Sequence, residues 1–196
     1  MRFTELLAAA GLRAATPRGD PEVADVQVDS RRCRPGSCFV AVRGADRDGH
    51  AYIAAAVAAG AAAVVCEDPA AVPPETACAI LPATRACAGL LAQAALGWPA
   101  RRLVAVAVTG TNGKTTVAHL IRGVLAEAGH RPALLGTISY QTGSRAVPAG
   151  TTTPGPVELA ELTAEMVAAG MTHLVMEASS HALDQDRTAG LEFAAG

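Results

Sequence analysis

Lysine is almost absent from this sequence. Of the 16 lysine and arginine residues in a chain of 196, only Lys114 is a lysine, and no basic run is longer than a pair such as Arg31-Arg32. The formal net charge is -2. Because a nucleic-acid-binding surface needs clustered positive charge, this composition excludes nucleic acid as the main partner. Any polyanionic ligand must therefore be held locally.

The sequence also has no long uncharged apolar run. Its alanine-rich stretches are interrupted by glycine, proline or charge well before the roughly 18 residues that a membrane span requires. Glu5 lies inside the first apolar stretch, where a signal peptide should be uncharged, so an amphipathic first helix is predicted instead. We expect a cytoplasmic protein that does not bind membranes.

Cysteine pairs are a third absence. The chain has 5 cysteines, an odd number, and no C-x-x-C pair, which fits neither a disulfide framework nor a zinc site. We expect small buried or half-buried residues at Cys33, Cys38, Cys66, Cys78 and Cys87.

What is present is an alternation of apolar runs and helical stretches, and it occurs twice. In the first half, runs such as VADVQVDS and AAAVVCE alternate with alanine-rich helical stretches, which predicts an α/β unit. Pro99 then disfavours helix at Trp98. The predicted domains are residues 1–100 and 101–196.

The second domain predicts a doubly wound parallel sheet. Strands are predicted at 103–108, 132–138 and 173–177, with helices at 116–128 and 156–169 between them. In the first helix, Leu120, Val124 and Ala128 form one apolar stripe. Ligands of such sheets bind beyond the carboxyl ends of the strands, where Thr109, Thr137 and Glu177 emerge. Residues 191–196 resemble an apolar strand that is interrupted by the end of the sequence, so we expect an incomplete sheet.

The segment T-G-T-N-G-K-T-T, residues 109–116, lies between a predicted strand and a predicted helix. Gly110 and Gly113 allow backbone N–H groups to surround a phosphate, Lys114 reaches the β and γ phosphates, and Thr115 offers a hydroxyl to Mg²⁺. A compact ammonium fits this narrow loop where a planar guanidinium would not. The common phosphate loop has a glycine where this chain has Val108. The alternative is that these glycines only turn the chain.

G-T-N-G-K-T-T in this form resembles the Mur ligase family, and three further stretches sharpen the resemblance to its MurE group. They are D-S-R at 29–31 with P-G-S-C-F-V-A-V-R-G and D-G-H-A-Y-I after it, T-T-T-P at 151–154, and M-E-A-S-S-H-A-L-D-Q-D-R at 176–187. Ala45-Asp46 replace a bulkier polar pair that is frequent in the family. The resemblance implies a small N-terminal UDP-binding α/β domain followed by an incomplete P-loop ATPase domain.

That resemblance implies an enzyme, an ATP-dependent amide ligase of cell-wall precursor synthesis. It implies that ATP and Mg²⁺ are used to join UDP-N-acetylmuramoyl-L-alanyl-D-glutamate to meso-diaminopimelate or L-lysine through an acyl phosphate. We expect a monomer. The fragment alone is expected to be inactive.

The resemblance also implies roles for individual residues, with Lys114 as the catalytic group. Thr115 and Glu177 would hold the metal, although Glu177 could instead be a surface carboxylate. ATP would contact Gly110, Thr111, Asn112, Gly113, Lys114, Thr115 and Thr116. The UDP-linked substrate would contact Ser30, Asn112, Thr152, Thr153, Ser179, Gln185 and Arg187.

Two other hypotheses remain open. One is a different ligase of the same superfamily, of the MurF, MurC or folylpolyglutamate synthase type. The other is a P-loop nucleotide-binding module without ligase activity. The triplet Ser179-Ser180-His181 does not indicate a hydrolase, because no G-x-S-x-G nucleophile elbow surrounds either serine.

Overall fold

The structure, a computed structural model, describes residues 1–13, 17–44 and 47–196, so Ala45 and Asp46 lie outside the described residues. The chain forms two compact units, Met1–Gly97 and Trp98–Gly196. None of the helices in the described part of the chain combines the length and the apolar character needed to cross a bilayer.

The first unit is built on a parallel sheet of four strands that lie side by side in chain order. The strands have three or four residues each, and apolar residues predominate in the last three of them. One α-helix precedes the first strand, one lies between the second and third strands, and one follows the fourth, so strands and helices alternate in part as predicted. The strands are β1 (Asp25–Gln27), β2 (Ser37–Val40), β3 (Ala63–Cys66) and β4 (Ala77–Ile80). The helices are α1 (Phe3–Ala9), α2 (Ile53–Ala58) and α3 (Thr84–Ala95).

The core of this unit explains its cysteines. All four residues of β2 and all four of β3 are buried, as expected of central parallel strands covered on both faces. Cys38 is completely buried and Cys33 is half-buried, and the cysteines are free thiols, which confirms the sequence prediction. Burial raises the pKa of the Cys38 thiol to about 12 and that of Cys33 to about 11, so both stay protonated at neutral pH.

The second unit is built on a mixed sheet of six strands. The strands are β5 (Val104–Val108), β6 (Pro132–Leu135), β7 (Ser139–Gln141), β8 (Ala146–Pro148), β9 (His173–Glu177) and β10 (Phe193–Ala195). They lie in the order β10-β5-β9-β6-β7-β8. The first four are parallel to one another, whereas β7 is antiparallel to both of its neighbours, β6 and β8. The helices are α4 (Lys114–Glu127), α5 (Pro156–Ala168) and α6 (Ser180–Asp184).

Side chains that alternate along the strands cover the two faces of this sheet. Leu134 and Val175 belong to one apolar cluster, on the α4 side, while Leu135 and Met176 belong to another, on the α5 side. The prediction of a doubly wound α/β unit is therefore confirmed. The register aligns Val108 with Glu177, so β5 and β9 end together at the carboxyl edge.

The predicted apolar stripe of α4 is wrong. Leu120 is 64% exposed and Val124 is 69% exposed, whereas Ala118 is buried against the sheet with Ile121 and Leu125 packed beside it. The helix has apolar residues on both faces, so periodicity does not choose between them. The choice follows from Thr115, which bonds to the sheet residue Glu177 and so turns Ala118, one turn later, toward the sheet.

The predicted strand 132–138 is too long, and the β7–β8 hairpin was missed. The chain turns after Leu135, where Gly136 N–H donates to the carbonyl of Ser139 and Thr137 N–H donates to a side chain rather than to the sheet. The two hairpin strands have three residues each. Such short, mixed segments carry no clear period-two pattern.

Candidate nucleotide and substrate sites

The turn between β5 and α4 has the shape of a phosphate loop. Gly110 has φ 134° and Gly113 has φ 79°, backbone conformations that glycine adopts without a Cβ clash. Gly113 directly precedes the first residue of α4. The free N–H groups of the first helical turn, with the positive end of the helix dipole, therefore face the loop.

Lys114 folds back over this loop. Its Nζ donates to the carbonyl of Gly110 at 2.7 Å. No carboxylate of the described residues forms a salt bridge with Lys114. A neutral carbonyl does not cancel the ammonium charge, so a phosphate can displace it. The lysine thus stands beside the loop with its charge available.

Glu177 is the centre of the site. It is 1% exposed, which excludes the surface-carboxylate alternative. Its Oε2 accepts hydrogen bonds from the hydroxyls of Thr115 at 3.1 Å and Thr137 at 3.0 Å, and its Oε1 accepts one from Thr137 N–H at 3.0 Å. Three hydrogen bonds, one from Thr115 in the first turn of α4 and two from Thr137 after β6, stabilise the buried carboxylate. Thr137 was not a predicted site residue, although its place at a strand end pointed to this edge.

Gly136 makes room for the Glu177 carboxylate. A Cβ on Gly136 would collide with Oε1 of Glu177. Its φ is not positive, so the reason for glycine here is space rather than backbone conformation. No local pattern signals this requirement, because the carboxylate lies far away along the chain.

The T-T-T-P segment lies against the same edge. Thr152 Oγ1 lies 3.1 Å from Thr137 Oγ1, and since the Thr137 hydroxyl donates its proton to Glu177, Thr152 is the donor in this contact. Thr153 is buried, and its hydroxyl donates to the carbonyl of Glu177 at 2.9 Å and accepts from Ser179 N–H at 3.2 Å. Thr152 is thus placed to reach a ligand, while Thr153 holds the segment in position.

Tyr140 stabilises this segment from the core of the unit. It is 3% exposed, and its hydroxyl donates to the carbonyl of Thr151 at 2.5 Å. Thr151 Oγ1 in turn donates to the carbonyl of Thr153 at 2.8 Å. Sequence reasoning missed Tyr140, whose apolar ring packs in the core while its hydroxyl reaches the loop.

Arg187 and Gln185 come together after β9, and Arg187 and Ser179 both contact Thr153. Arg187 Nη1 donates to the carbonyl of Thr153 at 3.2 Å, and its Nε and Nη2 donate to Gln185 Oε1 at 3.0 and 2.7 Å. No described carboxylate pairs with Arg187. Its positive charge is held in place by neutral groups, as an anion-binding arginine requires.

The serine–histidine sequence forms no hydrolytic arrangement. Ser179 Oγ accepts from Ala182 N–H at 3.1 Å and so caps α6. His181 Nε2 lies 2.8 Å from Gln185 Nε2. The described hydrogen bonds of His181 involve no serine hydroxyl, which agrees with the sequence reading.

The first unit has its own cleft, of about 360 Å³. Ser30 lines it beside Asp29, which caps the short 3-10 helix Ser30–Arg32 by accepting from Arg31 N–H at 3.0 Å. Hydrogen bonds from the Arg31 guanidinium chiefly, and from its backbone N–H, lower the pKa of Asp29 to about 2. Tyr52 forms another part of the wall and is 39% exposed. Ser30 was among the residues assigned to the UDP-linked substrate, whereas Tyr52 was not.

The buried His50 stabilises one wall of this cleft through its hydrogen bonds. Its Nδ1 lies 2.6 Å from Asp48 Oδ1, and its Nε2 accepts from Glu67 N–H at 3.0 Å. Because a backbone donor occupies Nε2, the ring proton is on Nδ1 and is donated to Asp48. The histidine therefore ties the cleft residues Gly49 and Tyr52 to the end of β3. The sequence analysis assigned it no role.

Fold and site together define an α/β protein with a glycine-rich loop facing a buried carboxylate. Two family descriptions match the chain: "Mur ligase family, catalytic domain" over residues 22–95 and "Mur ligase middle domain" over residues 108–196. The chain belongs to the Mur ligase family, and the resemblance stated from its motifs is confirmed.

Curated relatives agree over nearly the whole chain. A protein of Parabacteroides distasonis is 43% identical over 176 residues, which are 89% of this chain and 36% of that protein. A protein of Cytophaga hutchinsonii is 39% identical over 198 residues, covering 100% of this chain and 41% of the relative. Both are named UDP-N-acetylmuramoyl-L-alanyl-D-glutamate–2,6-diaminopimelate ligase. The chain thus spans 36% to 41% of the length of these relatives.

Solved structures show the same fold. A structure titled UDP-N-acetylmuramoyl-L-alanyl-D-glutamate–2,6-diaminopimelate ligase matches with a TM-score of 0.71 and 28% identity, covering 87% of this chain and 35% of that one. A MurF ligase from Thermotoga maritima in complex with ADP matches with a TM-score of 0.52 and 24% identity, covering 81% of this chain and 32% of that one. At 24% identity, the second match supports a shared fold and nothing further.

Proposed function

We propose that this chain is the ATP-binding and UDP-substrate-binding part of an ATP-dependent amide ligase. The ligase joins a diamino acid to UDP-N-acetylmuramoyl-L-alanyl-D-glutamate and thereby serves peptidoglycan synthesis. The observation that carries the proposal is the buried Glu177 between Thr115 of the phosphate loop and Thr137. The names of relatives about 40% identical over the chain support the substrate class.

In this proposal the residues from Gly110 to Thr116 bind the ATP phosphates. Backbone N–H groups at the start of α4 surround the phosphate oxygens, and Lys114 exchanges its bond to the Gly110 carbonyl for the terminal phosphate. The ammonium then follows the γ-phosphoryl group as it moves. A Gly113→Ala substitution would be unfavourable, because a residue with a Cβ is strained at the φ of 79° that Gly113 adopts.

The donor set around Glu177 fits Mg²⁺. Carboxylate and hydroxyl oxygens are the hard ligands that this ion prefers, and Glu177 with Thr115 and Thr137 offers them beside the phosphate loop. Bound there, Mg²⁺ would neutralise charge on the phosphate oxygens. The part of Glu177 is to present its carboxylate at the strand end, in the space that Gly136 leaves for it.

The chemistry is activation of a carboxylate followed by attack of an amine. A carboxylate oxygen of the D-glutamyl residue attacks the γ-phosphorus of ATP, the bond to the β-γ bridging oxygen breaks, and ADP leaves. The amine nitrogen of the diamino acid then attacks the acyl carbon, inorganic phosphate leaves, and the nitrogen loses a proton. The chain contributes positioning and charge rather than covalent catalysis.

Each unit has its own proposed contacts with a part of the substrate. Ser30, beside Tyr52 in the cleft of the first unit, binds the uridine end. In the second unit Asn112, Thr152, Ser179, Gln185 and Arg187 bind the muramoyl dipeptide, with Thr153 fixing their loop. The names of the relatives favour 2,6-diaminopimelate over L-lysine as the amino acid. We further propose a monomer in the cytoplasm.

Binding to the 196-residue chain tests this proposal without requiring turnover. Calorimetry should detect Mg²⁺-dependent binding of ATP and separate binding of UDP-N-acetylmuramoyl-L-alanyl-D-glutamate, with UDP-N-acetylglucosamine as the control sugar nucleotide. A chain that binds ATP but does not distinguish the two UDP compounds would instead be a nucleotide-binding module without ligase function.

A further inference from the structure

A second cationic cleft lies in the same unit as the phosphate loop. It has a volume of about 410 Å³ and is reached at the amino end of β6, near Pro132, whereas Glu177 and the loop lie at the carboxyl ends of the strands. We call it the arginine cleft, and its lining includes Arg122, Arg131, Gln141, Ser144, Arg145 and Met171.

Three elements each bring one guanidinium to this cleft. Arg122 is on α4, Arg131 precedes β6, and Arg145 is in the β7–β8 hairpin. The lining contains no aspartate or glutamate. Positive charge from separate elements meets in one concave surface, although the whole chain is slightly negative.

The surrounding protein neutralises one of these charges. Arg145 pairs with Glu165 at 2.9 Å. Arg131 Nη2 donates to the carbonyl of Ala169 at 2.9 Å, which orients the guanidinium without cancelling its charge. Among residues 1–13, 17–44 and 47–196, no carboxylate forms a salt bridge with Arg122 or Arg131.

Beyond the convergence of three arginines, a second and independent observation concerns Arg122. Its Nε is buried and has no hydrogen-bond acceptor in the described structure. Arg122 lies on the sheet-facing side of α4, seven residues after Thr115, which explains the burial. A buried N–H without an acceptor is uncommon in proteins, and a small shift of the side chain into the cleft would let a bound oxyanion accept from it.

We propose that the arginine cleft binds a small, multiply charged phosphate compound, at a site separate from the phosphate loop. Arginine forks match the oxygen geometry of phosphate. A concave site of this size suits a free anion such as pyrophosphate better than a flat anionic surface. Lys114 and Arg122 are eight residues apart on α4, about 12 Å along its axis, so both sites can be filled at once.

Pyrophosphate titration of the Lys114→Ala chain tests the proposal, because this background weakens phosphate binding at the loop. We expect one remaining site by calorimetry at low salt. Adding Arg122→Gln should weaken it by about tenfold or more, since charge-assisted paired hydrogen bonds are lost. Adding Arg122→Lys, which keeps the charge but not the fork, should weaken it less and guards against a folding defect.

Arg102→Gln in the same background is the matched control. Arg102 is an exposed arginine of this unit that does not line the cleft, and its loss should leave pyrophosphate binding unchanged. Equal losses for Arg102→Gln and Arg122→Gln, or no pyrophosphate binding to the Lys114→Ala chain, would overturn the proposal. Arg122-dependent binding to phosphatidylglycerol vesicles without pyrophosphate binding would overturn it too, and would assign the cleft to lipid headgroups.

Discussion

The hydroxyl of Thr115 donates to the carboxylate of Glu177 at 3.1 Å, although the two residues are 62 positions apart in the chain. This bond joins the first turn of α4 to the end of β9. It also sets the rotation of α4 on the sheet, and with it the burial of Ala118 and of Arg122 Nε. One polar contact thus relates the phosphate loop, the candidate metal site and the packing of the helix.

Replacing Lys114 should remove ATP binding and spare the UDP site. Lys114→Ala should weaken Mg²⁺-dependent ATP binding by about 100-fold, because the charge-assisted bonds to the phosphates are lost. Lys114→Arg should fail almost as completely, since the guanidinium does not fit the loop. Calorimetry with ATP, and with the UDP dipeptide as the control, measures both. Tight ATP binding by Lys114→Arg would contradict the argument that the guanidinium is too large for the loop.

Gly136→Ala should destabilise the protein and disturb the metal site. Its Cβ meets the Glu177 carboxylate, so we expect the free energy of unfolding to fall by about 1–3 kcal/mol and Mg²⁺-dependent ATP binding to weaken. Gly123→Ala is the matched control, because that helical glycine has open space around it. It should raise stability by about 0.5–1 kcal/mol. Urea denaturation compares them, and equal effects would contradict the crowding at Glu177.

Glu165 should make stability depend on pH in the acid range. Hydrogen bonds from Arg145 chiefly, and from Ser144 and Thr142, lower the pKa of Glu165 from its ordinary 4.5 to about 2. A lowered pKa means that the stabilisation is complete above pH 4.5 and is lost as the pH falls toward 2. Because Arg145 is 56% exposed, we expect only about 0.5–1 kcal/mol.

The Glu165→Gln variant isolates this contribution. Urea denaturation should find the variant less stable than the parent at pH 7 and nearly equal to it at pH 2.5. The double variant Glu165→Gln with Arg145→Gln should lose little more than Glu165→Gln alone. A constant difference at all pH values would mean that the hairpin is held by packing rather than by ionised Glu165.

His50→Ala should loosen the cleft of the first unit. The substitution leaves Glu67 N–H without its acceptor and removes the ring donor to Asp48, which should cost about 1–3 kcal/mol and weaken binding of the UDP dipeptide. ATP binding, which depends on the second unit, should not change. His130→Ala, at an exposed histidine, is the control. Unchanged binding of the UDP compound by His50→Ala would exclude a positioning role for His50.

Much of the site was predictable because its parts are local. The strand, glycines, lysine and threonine of the phosphate loop are neighbours in sequence, and each belongs to a pattern with a known physical reason. Gly136, Tyr140 and His50 gave no such signal, and Thr137 was marked only by its place at a strand end. Each of these residues contacts a partner that only the fold brings near. The sequence pattern around the residue therefore does not indicate its role.

The sequence by itself determined the α/β alternation, the loop that opens α4 and the family to which the chain belongs, because these depend on local composition and spacing. The tertiary structure alone decided which face of α4 is buried, where the strand after it ends and that three arginines share one cleft. Those outcomes depend on contacts between residues far apart in the chain. A periodic pattern records which residues are apolar, but not which neighbour each one meets.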